Sequence, residues 1–307
     1  MRKVLGLVLL GLSGFLIAAS LLLFLWAPGK VERTPLNIDS ITRLTGKATY
    51  LSEAETPVKA ISANRVDVKA SSDEVVQFNT FTCLVRDPDN NVQNCVKDKR
   101  LITSDVDTFA TDRHTAQAVT DYPNLPTDAV PHTGLVNKFP FNVEKKTYNF
   151  WDGVLGKSVP AEYKGTEKIQ GLETYKFVIS FADQPAKVTA GVDGTYSDDK
   201  TMWVDPITGS IINQQDKQVR KLQNGDNAIT LDFAFTDDTV KKNVQDANDN
   251  RSQLGLVKNA PLVLLPLGII AGVVGAFLTL GARNAGGRHR NDEIDWDEVD
   301  QDASSRA

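Results

Sequence analysis

Two long apolar runs bracket the chain, and neither contains a charged residue. They cover residues 4–26 and 261–282. At 1.5 Å per residue, each is long enough as a helix to cross a hydrocarbon core about 30 Å thick. Because backbone amides in hydrocarbon must be hydrogen-bonded within the segment, a helix is the favoured conformation. The sequence therefore predicts two transmembrane helices.

Basic residues at the outer ends of both runs predict the orientation. They are Arg2, Lys3, Arg283, Arg288 and Arg290. Basic residues near membrane spans remain on the cytoplasmic side. We therefore expect a plasma-membrane protein with two spans, both termini in the cytoplasm (residues 1–3 and 283–307) and an extracytoplasmic domain at 27–260.

A cleaved signal peptide is the alternative for the first run, with Ala18-Ala19-Ser20 as a small-residue cleavage site. Cleavage would leave a singly anchored protein with its amino terminus outside. We favour the span, because the apolar core of a cleavable signal is only about 7–15 residues long.

The segment between the spans alternates between apolar and polar residues. Two examples are Tyr175, Phe177, Ile179 and Phe181, and then Ile229, Leu231, Phe233 and Phe235. A period of two is typical of strands with one buried face. We expect a mainly β domain, an antiparallel barrel or sandwich, between the two terminal helices. A helix capped by Asp238 is predicted near its end, with Val240, Val244, Ala247 and Leu254 on one face.

The only two cysteines, Cys83 and Cys95, lie in the segment placed outside the cytoplasm. An oxidising compartment permits a disulfide between them. A turn-forming Asp-Pro-Asp-Asn run separates them, so we expect the two sulfurs to face each other across a hairpin. Closing a loop of this size contributes about 3 kcal/mol of stability in the chain-entropy treatment.

The charge and the residue inventory exclude some functions and offer little support for others. The chain has 34 Lys and Arg against 39 Asp and Glu, which gives no support for nucleic-acid binding, since nucleic-acid-binding proteins usually have a basic face. An Asp112/His114 pair with His132 is the best candidate for catalysis, but no serine elbow or paired-histidine metal motif accompanies it. We expect no enzymatic activity, no metal and no cofactor, and interpret the cluster as a loop with local contacts.

Small residues in the spans suit close helix packing. Gly268, Gly272 and Ala276 recur every four residues in the second run, and Gly14 and Ala18 offer a matching groove in the first. Small residues let membrane helices approach closely. We expect the spans to pack on each other or on another copy of the chain.

The order of aromatic and glycine positions resembles the PorA family of actinobacteria. The matching residues are in 134–141, 148–152, 163–167, Gly171, 175–177 and the Trp203-Val204-Asp205-Pro206 run with Thr208-Gly209. The resemblance covers nearly the whole chain and implies an actinobacterial cell-envelope protein with two spans. It implies no catalytic residue. Although the family name includes "porin", two apolar helices do not suit an outer-membrane barrel, so we expect no pore.

An aromatic patch is the candidate ligand site. It consists of Phe139, Phe141, Tyr148, Phe150 and Trp151. Such residues line sites for acyl chains or sugars, although core packing explains the same residues. Our first hypothesis is an envelope protein that binds or conveys an apolar, lipid-like ligand.

The alternative hypothesis is a scaffold for other envelope proteins. It would use the acidic tail at 283–307, which we expect to be disordered, to dock a cytoplasmic partner. Trp296 and Ile294 lie among the acidic residues and would serve as the docking motif.

Overall fold

The computed structural model describes residues 1–51, 53–189 and 191–286. These residues form two compact units. One joins Met1–Lys30 to the chain from Gly255 onward, and the other is Val31–Leu254. The predicted tail lies outside the described residues from position 287. The elements are α1 (Arg2–Leu25), α2 (Pro28–Val31), β1 (Asp39–Tyr50), β2 (Thr56–Val66), β3 (Val75–Arg86), β4 (Leu101–Asp112), β5 (Tyr148–Asp152), β6 (Lys157–Ile169), β7 (Leu172–Thr189), β8 (Val192–Val204), β9 (Ile211–Leu222), β10 (Asn227–Phe235) and α3 (Asp237–Gly286).

The domain between the apolar helices is one antiparallel half-barrel sheet of ten strands, which confirms the predicted fold class. The order is β4-β3-β2-β1-β10-β9-β8-β7-β6-β5. Two meanders of neighbouring strands are thus joined by the pairing of β1 with β10, which runs from Leu44↔Phe235 to Tyr50↔Ile229. The strands form a single continuous sheet rather than the two stacked sheets of a sandwich.

The connection between β4 and β5 spans the two ends of the strand order. Isolated bridges pair Thr111 of β4 with Ala118, Gln117 with Leu135, and Leu135 with Phe150 of β5. The irregular segment thereby supplies hydrogen bonds to backbone groups at both sheet edges, which would otherwise be open to pairing with another chain.

A disulfide joins Cys83 and Cys95. The expectation that the two sulfurs face each other across a hairpin is wrong. Cys83 lies in β3 opposite Ser104 of β4, whereas Cys95 lies in the loop between these strands. A buried ion pair holds this loop, with Lys59 Nζ 2.8 Å from Asp87 Oδ2 and donating to the Val92 carbonyl. Cys95 and Val92 pack with Cys83, Ile61 and Val85 in a small cluster. The loop folds back on β2 and β3 because it carries apolar residues of its own.

The start of α3 packs within the β domain as the helical pattern predicted. Val240, Val244 and Ala247 are buried against Leu172 and Ile212, and Leu254 is buried too. The predicted cap is wrong by two residues. The Thr236 hydroxyl, not Asp238, accepts a hydrogen bond from the Thr239 N–H at 3.2 Å, which satisfies one of the free donors of the first turn.

The turn after β8 contacts two other parts of the β domain. Asp205 is fully buried and accepts a hydrogen bond from Arg251 Nε of α3 at 2.8 Å. The Gly209 carbonyl accepts from the Phe139 N–H at 2.8 Å, and two further backbone bonds tie Asn142 and Val143 to the same turn. Gly209 has φ +74°, and a Cβ there would lie 2.1 Å from the Phe139 oxygen. Only glycine fits both the backbone angle and this close approach.

We predict that Gly209→Ala strongly destabilises the protein, whereas Gly225→Ala is a mild control. Gly225 also has a positive φ, +88°, but a Cβ at this position would meet nothing within 4 Å. The control should show only the strain of a positive φ, about 1–2 kcal/mol. Thermal unfolding of the purified full chain in detergent measures both; equal shifts in Tm would contradict the docking of the turn on Phe139.

Small residues meet where α1 packs on the apolar part of α3. The buried residues recur every seven positions and are Gly6, Ser13 and Ser20 in α1, and Pro261, Gly268 and Gly275 in α3. A spacing of seven keeps one face of each helix toward its partner. The Ser20 hydroxyl also donates to the Pro261 carbonyl at 3.2 Å.

The predicted packing residues divide between this contact and the exposed surface. A Cβ on Gly268 would meet Leu16 and Ile17, and one on Gly272 would meet Ser13. Ala276 is half-buried. Gly14 and Ala18 differ from the expectation, since nothing lies within 4 Å of a Cβ on Gly14 and Ala18 is exposed. Spacing by four selected the wrong α1 face because the contact follows a repeat of seven.

We predict that the Ser13→Cys/Gly272→Cys pair forms a disulfide when the membrane-embedded chain is oxidised. A Cβ on Gly272 would lie 3.4 Å from the Ser13 Cβ, close to the separation of about 3.8 Å that a disulfide needs. The Gly14→Cys/Gly272→Cys pair is the control and should stay reduced. Gel mobility after protease cleavage between the two helices distinguishes these outcomes, and efficient crosslinking of the control pair would refute the described helix contact.

Candidate ligand-binding site

A cavity of about 500 Å³ lies within the β domain, along one face of the sheet. Residues of β1 to β4 form one side, and residues of β8 to β10 with the start of α3 form another. The segment at 136–138 also contributes to the wall. The volume falls within the range of about 300–1,000 Å³ that is typical of small-molecule sites.

The cavity wall contains both apolar and polar residues. The apolar lining residues are Ile38, Ile41, Leu44, Phe78, Phe109, Val136, Phe150, Ile211 and Phe235. The polar strand residues are Ser40, Thr42, Ser62, Asn64, Thr80, Asp107, Lys200, Gln214 and Asp216. A wall that combines both chemistries matches a molecule with an apolar part and a polar end.

A buried ion cluster forms part of the polar wall. Lys200 Nζ lies 3.1 Å from Asp198 Oδ2 and 3.2 Å from Asp216 Oδ2. Burial disfavours the ammonium, but the charges of Asp216 and Asp198 outweigh it and raise the pKa of Lys200. Burial raises the pKa of Asp198 to about 7, opposed by Lys200 and reinforced by Asp216. Two carboxylates thus share one ammonium in a region shielded from water.

Lys138 is a second cationic side chain at the cavity wall, and its surroundings disfavour the protonated form. Burial lowers its pKa to about 7, although the Asp205 carboxylate opposes this shift. Its Nζ lies 3.9 Å from the centre of the Phe141 ring and 3.4 Å from the Thr34 hydroxyl. The ammonium therefore faces an aromatic ring and a hydroxyl rather than a paired carboxylate.

His132 lies between the two end strands of the sheet. Its ring is 5.3 Å from Phe109 of β4 and 4.4 Å from Trp151 of β5, measured between ring centres. Its Nε2 is 2.8 Å from Asp107 Oδ2, and Asp107 lines the cavity. His132 thus connects the two sheet edges beside the cavity.

The catalytic candidate divides into separate local contacts. His132 binds Asp107 and not Asp112, while His114 Nδ1 lies 2.7 Å from the Glu32 carbonyl. The Asp112 carboxylate accepts from the backbone N–H groups of His114 and Thr115. Among the described residues no group of three or more metal-ligating side chains occurs.

The predicted aromatic patch is split between core and cavity. Phe139 is fully buried, with its ring centre 4.5 Å from that of Phe177, and Tyr148 packs on its edge. Phe150 belongs to the same core cluster and also lines the cavity. Trp151 packs on His132, and Phe141 stacks on His114 at 6.1 Å. The role of the patch in ligand binding stays a prediction, with Phe150 as the residue placed to take part.

The polar residues of the cavity had only a weak signal in the sequence. In β8 and β9 both faces carry polar side chains, as in Tyr196-Ser197-Asp198-Asp199-Lys200 and Asn213-Gln214-Gln215-Asp216. Alternation of apolar and polar residues therefore gives no inward face there. The pairing of Lys200 with Asp216 across β8 and β9 is what brings the charges together.

The opposite face of the sheet carries solvent-exposed charges. Lys47 pairs with Glu55 at 3.1 Å, and Lys217 of β9 pairs with Asp232 of β10 at 3.4 Å; all four side chains are exposed. A barrel wall in lipid presents apolar residues at these alternate positions. The described strands therefore have a face suited to water.

These features define a membrane protein that combines two helices long and apolar enough to cross a bilayer with an antiparallel β domain that contains a cavity. The chain belongs to the PorA family, since the family described as "Porin PorA" matches residues 5–277. The family expected from the sequence is thus confirmed. The predicted orientation, with both termini in the cytoplasm, stays a prediction.

Two individual proteins are similar to parts of the chain. A Porin PorA of Corynebacterium amycolatum is 27% identical over 143 residues, which are 42% of this chain and 35% of that protein. The match thus spans about a third of that relative's length. A solved structure of a LolA superfamily protein from Nitrosomonas europaea covers 68% of this chain and 90% of its own, at 9% identity and a TM-score of 0.14. A TM-score this low adds nothing to the description of the fold.

We predict that Lys200→Met destabilises the protein by about 3–5 kcal/mol, because it leaves two buried carboxylates without their ammonium. The loss should shrink as the pH falls from about 8 to about 5. Carboxylates with a raised pKa in the folded state take up protons there, so the folded state gains stability as the pH drops through that pKa. Thermal unfolding at both pH values measures the loss; a loss that grows at low pH would contradict the buried cluster.

Proposed function

We propose that this protein binds an amphipathic, lipid-like molecule of the cell envelope in the cavity of its β domain. The cavity itself carries the proposal, because its volume suits a small molecule and its wall has both apolar and polar residues. The two apolar helices support the proposal, since they would hold the β domain at a bilayer, where such molecules are found.

The apolar part of the wall would take the hydrocarbon portion of the ligand. Phe78 and Phe109 stack with ring centres 5.5 Å apart and both line the cavity. Phe235 and Ile211 line it near the start of α3. Phe78 and Phe109 are only 1% and 3% exposed, so most of the apolar area that a ligand covers belongs to partly exposed lining residues such as Phe235 and Ile211. Removing such area from water contributes about 25 cal/mol per Å².

A role in the envelope outside the cytoplasm agrees with the disulfide, since disulfides persist in oxidising compartments. The proposal includes both binding of the molecule and its transfer to another site. Binding is the step tested first. The charged outer face of the described strands favours binding over conduction through a lipid-embedded barrel wall.

We predict that Thr42→Trp reduces the amount of lipid that copurifies with the full chain, whereas Thr45→Trp does not. Both residues lie in β1, but Thr42 is half-buried at the cavity and Thr45 is exposed on the opposite face. Tryptophan at position 42 would fill the cavity, so bound molecules should fall to about a tenth. Mass spectrometry of the organic extract measures them.

Both variants keep the apolar helices, so lipid bound around the helices is the same in each sample. Only molecules held in the cavity should differ between them. Equal lipid content in the unmodified chain and both variants would contradict the proposal.

A further inference from the structure

The polar wall of the cavity contains buried acceptor atoms that lack a donor among the described residues. Asp216 is 2% exposed and lines the cavity, yet its Oδ1 accepts no hydrogen bond from them. The Oδ1 of Asn137, another lining residue, also lacks a donor in the described part of the chain. A buried acceptor without a donor destabilises the folded state, and more so when it is charged. A ligand that donates hydrogen bonds would remove this destabilisation.

Each of the three lysines at the wall has either a carboxylate partner or a lowered pKa. Lys200 is shared between two carboxylates, and Lys242 pairs with Asp246 one helical turn away. Lys138 has a lowered pKa and faces the Phe141 ring. Two of these three lysines are thus paired with carboxylates, and the third contacts the Phe141 ring and the Thr34 hydroxyl.

Carboxylates outnumber the ammonium in the Lys200 cluster. Asp198 and Asp216 together exceed the single charge of Lys200 when both are ionised, and Asp107 adds a carboxylate whose partner is the His132 imidazole. In a region shielded from water, a positive donor gains both charge attraction and a hydrogen bond.

We propose that the polar end of the ligand is an amine, whose ammonium donates to Asp216 Oδ1 at the Lys200 cluster while its hydrocarbon part lies against Phe78 and Phe109. This inference rests on the proposed function and specifies the class of ligand: an amphipathic amine rather than an alcohol or a carboxylic acid of the same chain length.

The test presents three probes of equal chain length to the full chain in a non-ionic detergent. Dodecylamine, dodecanol and dodecanoic acid are mixed in equal amounts, and native mass spectrometry counts the bound adducts. We expect the amine to exceed the alcohol about tenfold, a difference of about 1.4 kcal/mol, because a charge-assisted hydrogen bond is stronger than a neutral one. The acid should bind more weakly than the alcohol.

Two variants test whether the amine binds at Asp216. Asp216→Asn should reduce the amine adduct about tenfold and leave the alcohol adduct unchanged. Asp232→Asn, in the neighbouring strand but exposed on the opposite face, should change neither. The comparison of the three probes on the unmodified chain needs no variant, so it stands even if Asp216→Asn folds poorly.

The outcomes separate this inference from the proposed function. If all three probes bind equally and Thr42→Trp abolishes their binding, the cavity binds amphiphiles and the amine preference is wrong. A preference for the acid would overturn it as well. If no probe binds and no lipid copurifies, the proposed function itself fails.

Discussion

The arrangement around the cavity depends on the ion pair between the Asp205 carboxylate and Arg251. The carboxylate is fully buried in the turn after β8, and Arg251 of α3 donates to it. Backbone carbonyls of the same turn, at Gly209, Ile207 and Pro206, accept hydrogen bonds from backbone N–H groups of the segment at 139–143. The part of the cavity wall at 136–138 directly precedes this docked segment. The turn that contains this buried charge therefore links the sheet, the start of α3 and the segment next to part of the cavity wall.

This arrangement also gives a physical meaning to the residues that mark the family. The Asp205-Pro206 turn with Gly209, and the Phe139-Pro140-Phe141 segment, contact each other through backbone hydrogen bonds. Gly209 has no room for a side chain, and Phe139 is fully buried. Their role is architectural. The residues that line the polar wall, such as Lys200 and Asp216, lie elsewhere in the sequence.

Much of the fold followed from simple patterns. The apolar runs predicted the two long helices, and alternation at residues 175–181 and 229–235 predicted strands of β7 and β10. The apolar spacing of Val240, Val244 and Ala247 predicted the packed face of α3. Each of these signals is local and strong, because one face of the element is wholly apolar.

The candidate site was harder to predict because it depends on contacts between distant residues. Asp107 and His132 are neighbours only through the connection between β4 and β5, and Lys200 meets Asp216 only through strand register. The aromatic patch drew attention to Phe139 and Tyr148, which form core. Sequence composition cannot distinguish an aromatic residue in a core from one in a cavity, since both are apolar environments. The polar inner face of β8 and β9 breaks the alternation rule, as functional surfaces commonly do.

An experimental structure of the full chain, purified from its native membrane in a mild detergent, tests the central claim most directly. The account predicts density for an elongated molecule along Phe78 and Phe109, with its polar end beside Lys200 and Asp216. A cavity that contains only water, or one filled by the protein's own side chains, would contradict it.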